Sequence, residues 1–515
     1  MLKVSQTSSS VYALCTFSSL SKKILNMETI IPPSCNDATL IPYDPTPQNP
    51  WNTTKVKHVY RRLGFGAKQA DVDAALSLNP EDFIDNLVNT AVAQPPTPAP
   101  NWGYWSFSNY DDYIIQGGQQ SNDWRVQTVN DFLNEDLRGR LTFFWMNHFV
   151  TEYEVYGYPP YLFQYYNTMQ THALGNVKEF VRAIGISSTM LIYLNGFENT
   201  SFNPNENYAR ELYELFTLGE GNGYTQDDIL ETARALTGYN HWDEFGADIY
   251  FDNSTFDNGE KTIFGQTGVW GYDDVIDILF QEKENELAFY ICEKLYRYFV
   301  SPTVDQIVEQ NVIQPLAATL IANNFEIIPV LKQLFKSEHF FDERALGVII
   351  KSPYDVILDF IKETEFFYDD PLADGLVYYT ALMGQELYDP PDVSGWQRDE
   401  AWINSSTLTG RWQLLELYLA YLYDNDLGST FVDLARNLSN DSNDPYYITE
   451  VVIDHFMSKK LFTLEDYEIA TDIFKWDVPQ NYYDEGLWNL NWTTAPIQVF
   501  LLLRHTATIP EFQLK

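Results

Sequence analysis

The chain has 515 residues, of which 72 are acidic and 32 are basic, so its formal net charge is −40. A surface of that charge repels phosphate backbones, and we therefore do not expect nucleic acid as a partner. No apolar run approaches the roughly 18 to 20 residues that cross a bilayer, which predicts a soluble protein with no membrane span. At this length the chain can form one large core or about three average domains.

Residues 1–52 are predicted to form a disordered or extended N-terminal arm. Residues 1–26 are rich in serine, and hydroxyl side chains interrupt their apolar run, so this stretch makes no convincing signal peptide. We interpret Met27 as the true start, and we favour a cytoplasmic over an exported protein.

Helical periods dominate from residue 53 to residue 515, which predicts a mainly α fold with a single large helical domain. The first helix begins at Thr53 or Thr54, and its basic residues can either receive an acidic partner or pair with internal carboxylates. Between Asp248 and Gly265 the pattern changes to short aromatic and β-branched runs. Because Asn-Gly is a strong turn signal, Asn258-Gly259 predicts a small inserted β-hairpin there.

The chain is organised around the segment Asn203–Gly219, which we call the site helix. Asn203 can cap this helix, Pro204 suits its first position, and Gly219 can close it in a left-handed conformation. At about 100° per residue, one face is apolar and the other is polar. The polar face carries Asn207, Arg210, Glu211 and Glu214. A solvated face with charges at helical spacing is the alternative interpretation.

Other polar residues on neighbouring segments are predicted to meet this face. The candidate catalytic residues are His148, His172, Arg210, Glu211 and Glu214, and the candidate binding residues are Asn205, Asn207, Asp228, Arg234 and Trp396. The two arginines would allow both glutamates of the cluster to stay ionised. Each candidate also has a structural alternative, since a buried histidine is often a core residue and a tryptophan on a Pro-rich loop can pack on its own helices.

The chemistry that these residues support is narrow, because the common nucleophile, phosphate-binding and zinc motifs are absent from the sequence. Two carboxylates one helical turn apart, Glu211 and Glu214, can act as an acid and base pair or bind a divalent cation. A carboxylate-bridged dimetal site normally shows Glu-x-x-His, whereas this helix reads Glu-x-x-Glu, so a metal has weak support.

Several strings resemble the bacterial family known as domain of unknown function 1800, and the resemblance runs from about Thr53 through nearly the whole chain. The strings are RRLGFG at 61–66, WMNHF at 145–149, HALGN at 172–176, NPNENYAREL at 203–212, ARALTG at 233–238 and PPDVSGW at 390–396. The family has no settled activity, and its members are often encoded beside a sulfatase-like protein. This chain departs at Met146, where many members carry histidine, and in lacking an evident export signal.

Two functions follow as hypotheses. The first is a hydrolase or polymer-modifying enzyme, acting on a polysaccharide or another polymer, with the polar face of the site helix as its floor. The second is a non-catalytic helical scaffold that binds a sulfatase-like partner protein, in which the same polar groups form a buried network.

Overall fold

Helices fill most of residues 39–242 and 245–515, which are the residues that this computed structural model describes. The helices of the N-terminal half are Thr53–Leu63, Gln69–Leu76, Pro80–Ala93, Tyr113–Asn134, Leu137–Met146, Tyr153–Tyr156, Pro159–His172, Val177–Gly185, Ser188–Tyr193, Asn207–Glu211, Leu212–Thr217 and Gln226–Ala235, with 3-10 turns at Phe107–Asn109 and Gly196–Glu198. Within the described residues, no helix is both long and apolar enough to cross a membrane.

The C-terminal half continues in the same way, and the mainly α fold is confirmed. Its helices are Tyr272–Glu282, Glu284–Phe299, Gln306–Val308, Glu309–Ile313, Gln314–Ala322, Ile327–Phe335, Pro353–Thr364, Asp370–Leu382, Ser405–Asp424, Ser429–Ser439, Pro445–Phe456, Leu464–Phe474, Gln480–Asp484 and Ala495–Thr506, with 3-10 turns at Asp399–Trp402 and Pro510–Gln513. One cluster of buried apolar side chains runs through both halves, from Tyr43 to Phe512.

Short polar signals set several of these helix starts. Asn52 accepts the backbone N–H of Lys55 at 3.1 Å at the first helix, as an N-cap residue does. Thr225 and Asp228 form a reciprocal capping box at the start of Gln226–Ala235. In both places a side chain close in sequence accepts N–H groups that have no partner inside the helix, so these helix starts depend on local sequence.

The β structure is small, as expected, but the turn is not where the sequence places it. Tyr239–Asn240 pairs with Tyr250–Phe251, and Lys261–Ile263 pairs with Gln266–Gly268, both antiparallel. The two-residue turn of the second pair is Phe264-Gly265, with φ of 47° and 81°, as a type I′ turn requires.

Asn258-Gly259 is therefore not the hairpin turn. The carboxylate of Asp257 accepts the N–H of Gly259 at 2.8 Å and also binds Arg234, which holds this segment as a loop before the hairpin.

A buried row of acidic residues crosses the core on helix Pro353–Thr364. Asp355, Asp359 and Glu363 are four residues apart, so they lie on one side of the helix, and all three are buried. Their basic partners come from four separate segments, with Arg61 on Glu363, Lys351 on Asp359, and Arg140 and Lys515 on Asp355. We call this set the buried ionic row. Of the basic residues of the first helix, Arg61 thus pairs with an internal carboxylate, whereas Lys57 donates to His455 and Arg62 donates to backbone carbonyls.

The buried ionic row also positions the functional region. Helix Leu137–Met146 places Arg140 in the row, and the same helix ends at Asn147 and His148, beside the site helix. The row and the candidate site are therefore joined by one rigid element.

Residues 39–52 dock on the domain as an extended segment. The N–H of Tyr43 donates to the carbonyl of Lys336 at 2.8 Å, and the ring of Tyr43 is buried. Residues 1–38, including Met27, lie outside the described residues.

Candidate functional site

The site helix begins three residues later than the sequence predicts, since Pro204 is the first helical residue of the prediction. Its first helical residue is Asn207, and the side chain of Asn205 accepts the N–H of Asn207 at 3.0 Å. Asn203 is not the cap, because it lies in a turn against Thr200, whereas Asn199 holds the N–H of Asn205. Asn199 in turn donates its amide to the Ala233 carbonyl at 2.8 Å, so a contact with the following helix fixes the turn before the site helix.

The second half of the site helix is a π-helix, Leu212–Thr217. Widened turns of this kind leave carbonyl groups free for other donors and are frequent at functional sites. The Leu215 carbonyl accepts the Tyr290 hydroxyl at 2.8 Å, and the Phe216 carbonyl accepts His148 Nε2 at 3.0 Å. Gly219, with φ of 92°, ends the segment in the left-handed region, as predicted.

Arg210 ties the site helix to the helix that follows it. Its guanidinium binds Glu206 at 2.7 Å, Glu214 at 3.1 Å and the Gln226 side chain at 3.0 Å. These contacts are half-exposed, so each contributes little free energy, about 0 to 1 kcal/mol. Arg210 therefore acts as a clamp between helices, and it also holds Glu214 in place beside Glu211.

Glu211 differs from its neighbours because its carboxyl group is half-buried and has no hydrogen-bond or ion-pair partner among the described residues. Burial raises the pKa of Glu211, the nearby Glu214 raises it further, and Arg210 opposes them. An unpaired carboxyl group with a raised pKa is the kind of group that serves as a general acid or base.

Three carboxylates act on Tyr193, namely those of Glu152, Asp392 and Glu211, and we call these four residues the acidic group. The Tyr193 hydroxyl donates to Glu152 Oε1 at 2.6 Å. Burial first, then the hydrogen bond to Glu152, and then the charges of Glu152, Asp392 and Glu211 raise the pKa of Tyr193. The three carboxylates come from three separate segments, so no sequence spacing could have revealed the group.

His148 lies in the aromatic core. Its ring is buried, it packs against Phe149, and its Nδ1 has no hydrogen-bond partner. Burial is the main cause that lowers the pKa of His148 far below its usual value, and the charge of Lys294 adds to it. The fold therefore favours the neutral ring, which contacts the π-helix as a core histidine does, and a catalytic role for His148 stays a prediction.

His172 packs against the same aromatic core as His148, but on another aromatic residue. It ends helix Pro159–His172 and stacks on Phe180, with ring centroids 5.3 Å apart. Burial lowers the pKa of His172. Neither histidine has a contact with Glu211 or Glu214 in the described part of the chain.

The candidate binding residues mostly make structural contacts. Arg234 binds Glu231 at 2.9 Å and Asp257 at 2.8 Å, so it is separate from Arg210 and does not join the predicted cluster. Asp228 caps its own helix and accepts the N–H of Phe264 at 2.8 Å. These contacts fasten the hairpin beside the site helix, and a binding role for these residues stays a prediction.

The same holds for the asparagines of the site helix, since Asn207 donates its amide to the Leu194 carbonyl at 3.1 Å.

Trp396 lines a cavity of about 120 Å³. Its ring is 4% exposed and its indole N–H donates to the Glu386 carbonyl at 2.9 Å, while its backbone N–H donates to Asn147 Oδ1 at 2.6 Å. Gly395 permits this approach, because a Cβ there would lie 2.2 Å from Asn147 Oδ1. Sequence reasoning identified the loop but missed the two basic residues beside it, Lys294 and Arg398.

The described residues contain no group of three or more His, Cys, Asp or Glu side chains arranged to hold a metal ion. A family model described as protein of unknown function (DUF1800) matches residues 58–514. No curated protein and no solved structure matches the chain.

Proposed function

We propose that this chain, which belongs to the family of proteins of unknown function DUF1800, is an enzyme that hydrolyses or otherwise modifies a polymer at the acidic group. The observation that carries the proposal is the unpaired, half-buried carboxyl group of Glu211 beside the hydrogen-bonded pair of Tyr193 and Glu152. A carboxyl group with a raised pKa holds its proton to higher pH than a solvated glutamate does, so it and a hydrogen-bonded carboxylate can divide the acid and base roles between them.

In a hydrolysis, Glu211 would donate its proton to the leaving oxygen as the bond to that oxygen breaks. Water would supply the hydroxyl group, and a second carboxylate of the acidic group, such as Glu152, would take the proton that the water loses. Tyr193 donates to Glu152 at 2.6 Å and so fixes the orientation of that carboxylate. Arg210 holds Glu214 and acts as a positioning residue.

The second candidate function is a scaffold for a sulfatase-like partner protein. It is favoured by the bonds of Arg210 to Glu206, Glu214 and Gln226, which serve to join two helices. In this function Glu211 would contribute to a docking surface or to the fold, and no turnover would be seen.

Glu211→Gln separates the two functions, because it keeps the shape of the side chain and removes its acid and base chemistry. The wild-type protein and the variant are incubated with neutral, carboxylated and sulfated polysaccharides, and new chain ends are quantified together with the melting temperature. We expect the variant to lose at least about 100-fold in turnover at an unchanged melting temperature.

Glu206→Gln is the matched control, since Glu206 lies on the same helix but is engaged by Arg210. Its turnover should equal that of the wild type. Full activity in Glu211→Gln would overturn the assignment of Glu211 as the acid and of the acidic group as the active site. Absence of turnover by the wild type, combined with co-elution with a sulfatase-like partner in gel filtration, would support the scaffold.

A further inference from the structure

We propose that Lys294 and Arg398 form a binding site for an oxyanion, a sulfate or phosphate group, next to the cavity lined by Trp396. The site goes beyond the proposed function, because it would bind an oxyanion whether or not the acidic group is catalytic. Four features support it, namely the unpaired state of both cations, the free amide groups of the cavity, the size of the cavity and the local charge.

Lys294 has no carboxylate partner among the described residues. It is half-buried on helix Glu284–Phe299, and its Nζ lies 3.4 Å from the Leu215 carbonyl and 4.7 Å from the centre of the Tyr290 ring. An ammonium group has three N–H donors, and one long hydrogen bond leaves most of that capacity unused.

Arg398 is also unpaired. It lines the cavity and is reachable by solvent, and its guanidinium group makes no hydrogen bond or ion pair within the described chain. Nearby Arg297 differs, since it binds Glu293 at 2.7 Å. In a protein of net charge −40, two neighbouring cations without a carboxylate partner are unexpected.

Two amide side chains line the same cavity with their donors unused. Asn147 Oδ1 accepts the N–H of Trp396, and Gln385 Oε1 accepts the N–H of Tyr354 at 3.0 Å. Backbone donors thus fix both amide orientations, and each NH₂ group has no partner in the described residues. The cavity therefore combines a guanidinium group with two amide donors, which is a favourable set for an oxyanion.

The cavity of about 120 Å³ suits a small ionic group and is too small for a polymer chain. Its carboxylates are Asp355, which is neutralised by Arg140 and Lys515, and Asp399. Burial raises the pKa of Asp399, and the charge of Arg398 opposes this. Asp399 would therefore compete with a bound anion rather than assist it.

Lys294 would gain most from an anion. Burial is the main cause that lowers the pKa of Lys294 to about 7, Arg398 lowers it further, and Glu293 opposes both. The other groups facing it are the Tyr290 ring and the neutral His148. A bound dianion would favour the charged ammonium group, so binding should weaken as the pH rises above about 7.

The experiment is calorimetric titration of the full chain with sodium sulfate, with sodium chloride at equal ionic strength as the reference. Sulfate keeps the same charge from pH 6 to pH 9, so any pH dependence belongs to the protein. We expect sulfate-specific binding that weakens across this range. Arg398→Ala and Lys294→Met should each weaken it by at least about tenfold, and Asp399→Asn should strengthen it.

Lys460→Met is the control, because it removes an exposed lysine paired with Glu450 and should leave sulfate binding unchanged. If Lys294→Met does not fold, the variant Arg398→Ala still tests the site, because Arg398 is exposed. Equal heats for sulfate and chloride, or equal binding by Arg398→Ala, would overturn the proposal. Titrations with sodium phosphate, dextran sulfate and dextran then identify the source of the oxyanion. Binding of sodium phosphate would indicate a free anion, and binding of dextran sulfate but not of dextran would indicate a group carried by a polymer.

Discussion

Arg61 and Glu363 form a bidentate ion pair in the core, with Nε 2.6 Å from Oε1 and Nη2 2.8 Å from Oε2. Both side chains are 2% exposed, and they are 302 residues apart in the sequence. The same guanidinium donates to the His455 carbonyl at 2.9 Å, so three distant segments meet at one side chain. Burial alone would raise the pKa of Glu363, but Arg61 holds it below its usual value.

Glu363→Gln should destabilise the protein by about 3 to 5 kcal/mol, because it leaves a buried guanidinium without its counter-charge. Chemical denaturation at pH 7.5 measures the loss. Glu450→Gln, which breaks the exposed pair with Lys460, should cost less than about 1 kcal/mol. Equal losses in the two variants would show that the buried pair contributes no more than a surface pair.

Acid should destabilise the fold through His455, a buried histidine that the fold holds in its neutral form. The Lys57 ammonium group can only donate, so His455 Nδ1 accepts its hydrogen bond at 2.9 Å, and His455 Nε2–H donates to the Glu363 carbonyl at 3.1 Å. Burial first, and then the charge of Lys57, lower the pKa of His455 from 6.5 to about 3.

Below pH 6.5, His455 therefore binds a proton in the unfolded chain but not in the folded chain. The free energy of unfolding accordingly decreases as the pH falls. Between pH 7.5 and pH 5 His455 should account for about 2 kcal/mol of lost stability. Urea denaturation of the wild type and of His455→Gln tests this, and the variant should lose that much less between the two pH values. An identical pH dependence in both proteins would contradict the assignment.

Gly395→Ala should displace the loop that carries Trp396. The residue has φ of 91°, and a Cβ would lie 2.2 Å from Asn147 Oδ1. The left-handed conformation costs about 1 to 2 kcal/mol for alanine, and the steric conflict adds about 1 to 3 kcal/mol. Gly486→Ala is a matched control, because its φ of 67° is also positive but no atom lies within 4 Å of its added Cβ.

Melting temperature and near-ultraviolet circular dichroism report the two parts of this effect. Gly395→Ala should lower the melting temperature more than Gly486→Ala and should change the tryptophan signal. Equal behaviour of the two variants would mean that the contact with Asn147 does not hold the loop.

Glu211 should titrate above the usual 4.5 of a glutamate, because it is buried next to Glu214. Glu214→Gln removes a negative charge and should lower the midpoint, whereas Arg210→Gln removes the opposing positive charge and should raise it. The measurement is the infrared absorption of the protonated carboxyl group, taken as the difference between each protein and its Glu211→Gln counterpart. A midpoint at or below 4.5 would contradict the environment described for Glu211.

The sequence by itself determined the helical fold and many of its local starts, because caps and periodicity act over a few residues. The first helix begins at Thr53 as predicted, and Asn52 and Thr225 cap their helices because each needs only N–H groups two or three residues away. The apolar face of the site helix also follows from its spacing, and Tyr208 and Phe216 are buried.

Tertiary structure decided the local conformation at positions where a local signal competes with a distant partner. Asn203 is a good cap by sequence, but Asn199, which donates to the distant Ala233 carbonyl at 2.8 Å, holds the turn before the helix, and the helix begins at Asn207. Asn258-Gly259 is a good turn by sequence, but Arg234 binds Asp257 and the hairpin turns at Phe264-Gly265 instead.

The functional groups depend on tertiary structure most of all. The charges of Glu152 and Glu211 both act on Tyr193, although they are far apart in the chain. Arg398 lines the cavity with Trp396, and Lys294 lies one helical turn from Tyr298, which lines the same cavity. Their pKa shifts arise from burial and from charges on other segments, which are properties of the packed interior. No periodicity or spacing in the sequence encodes these distances, so only the folded chain brings the groups together.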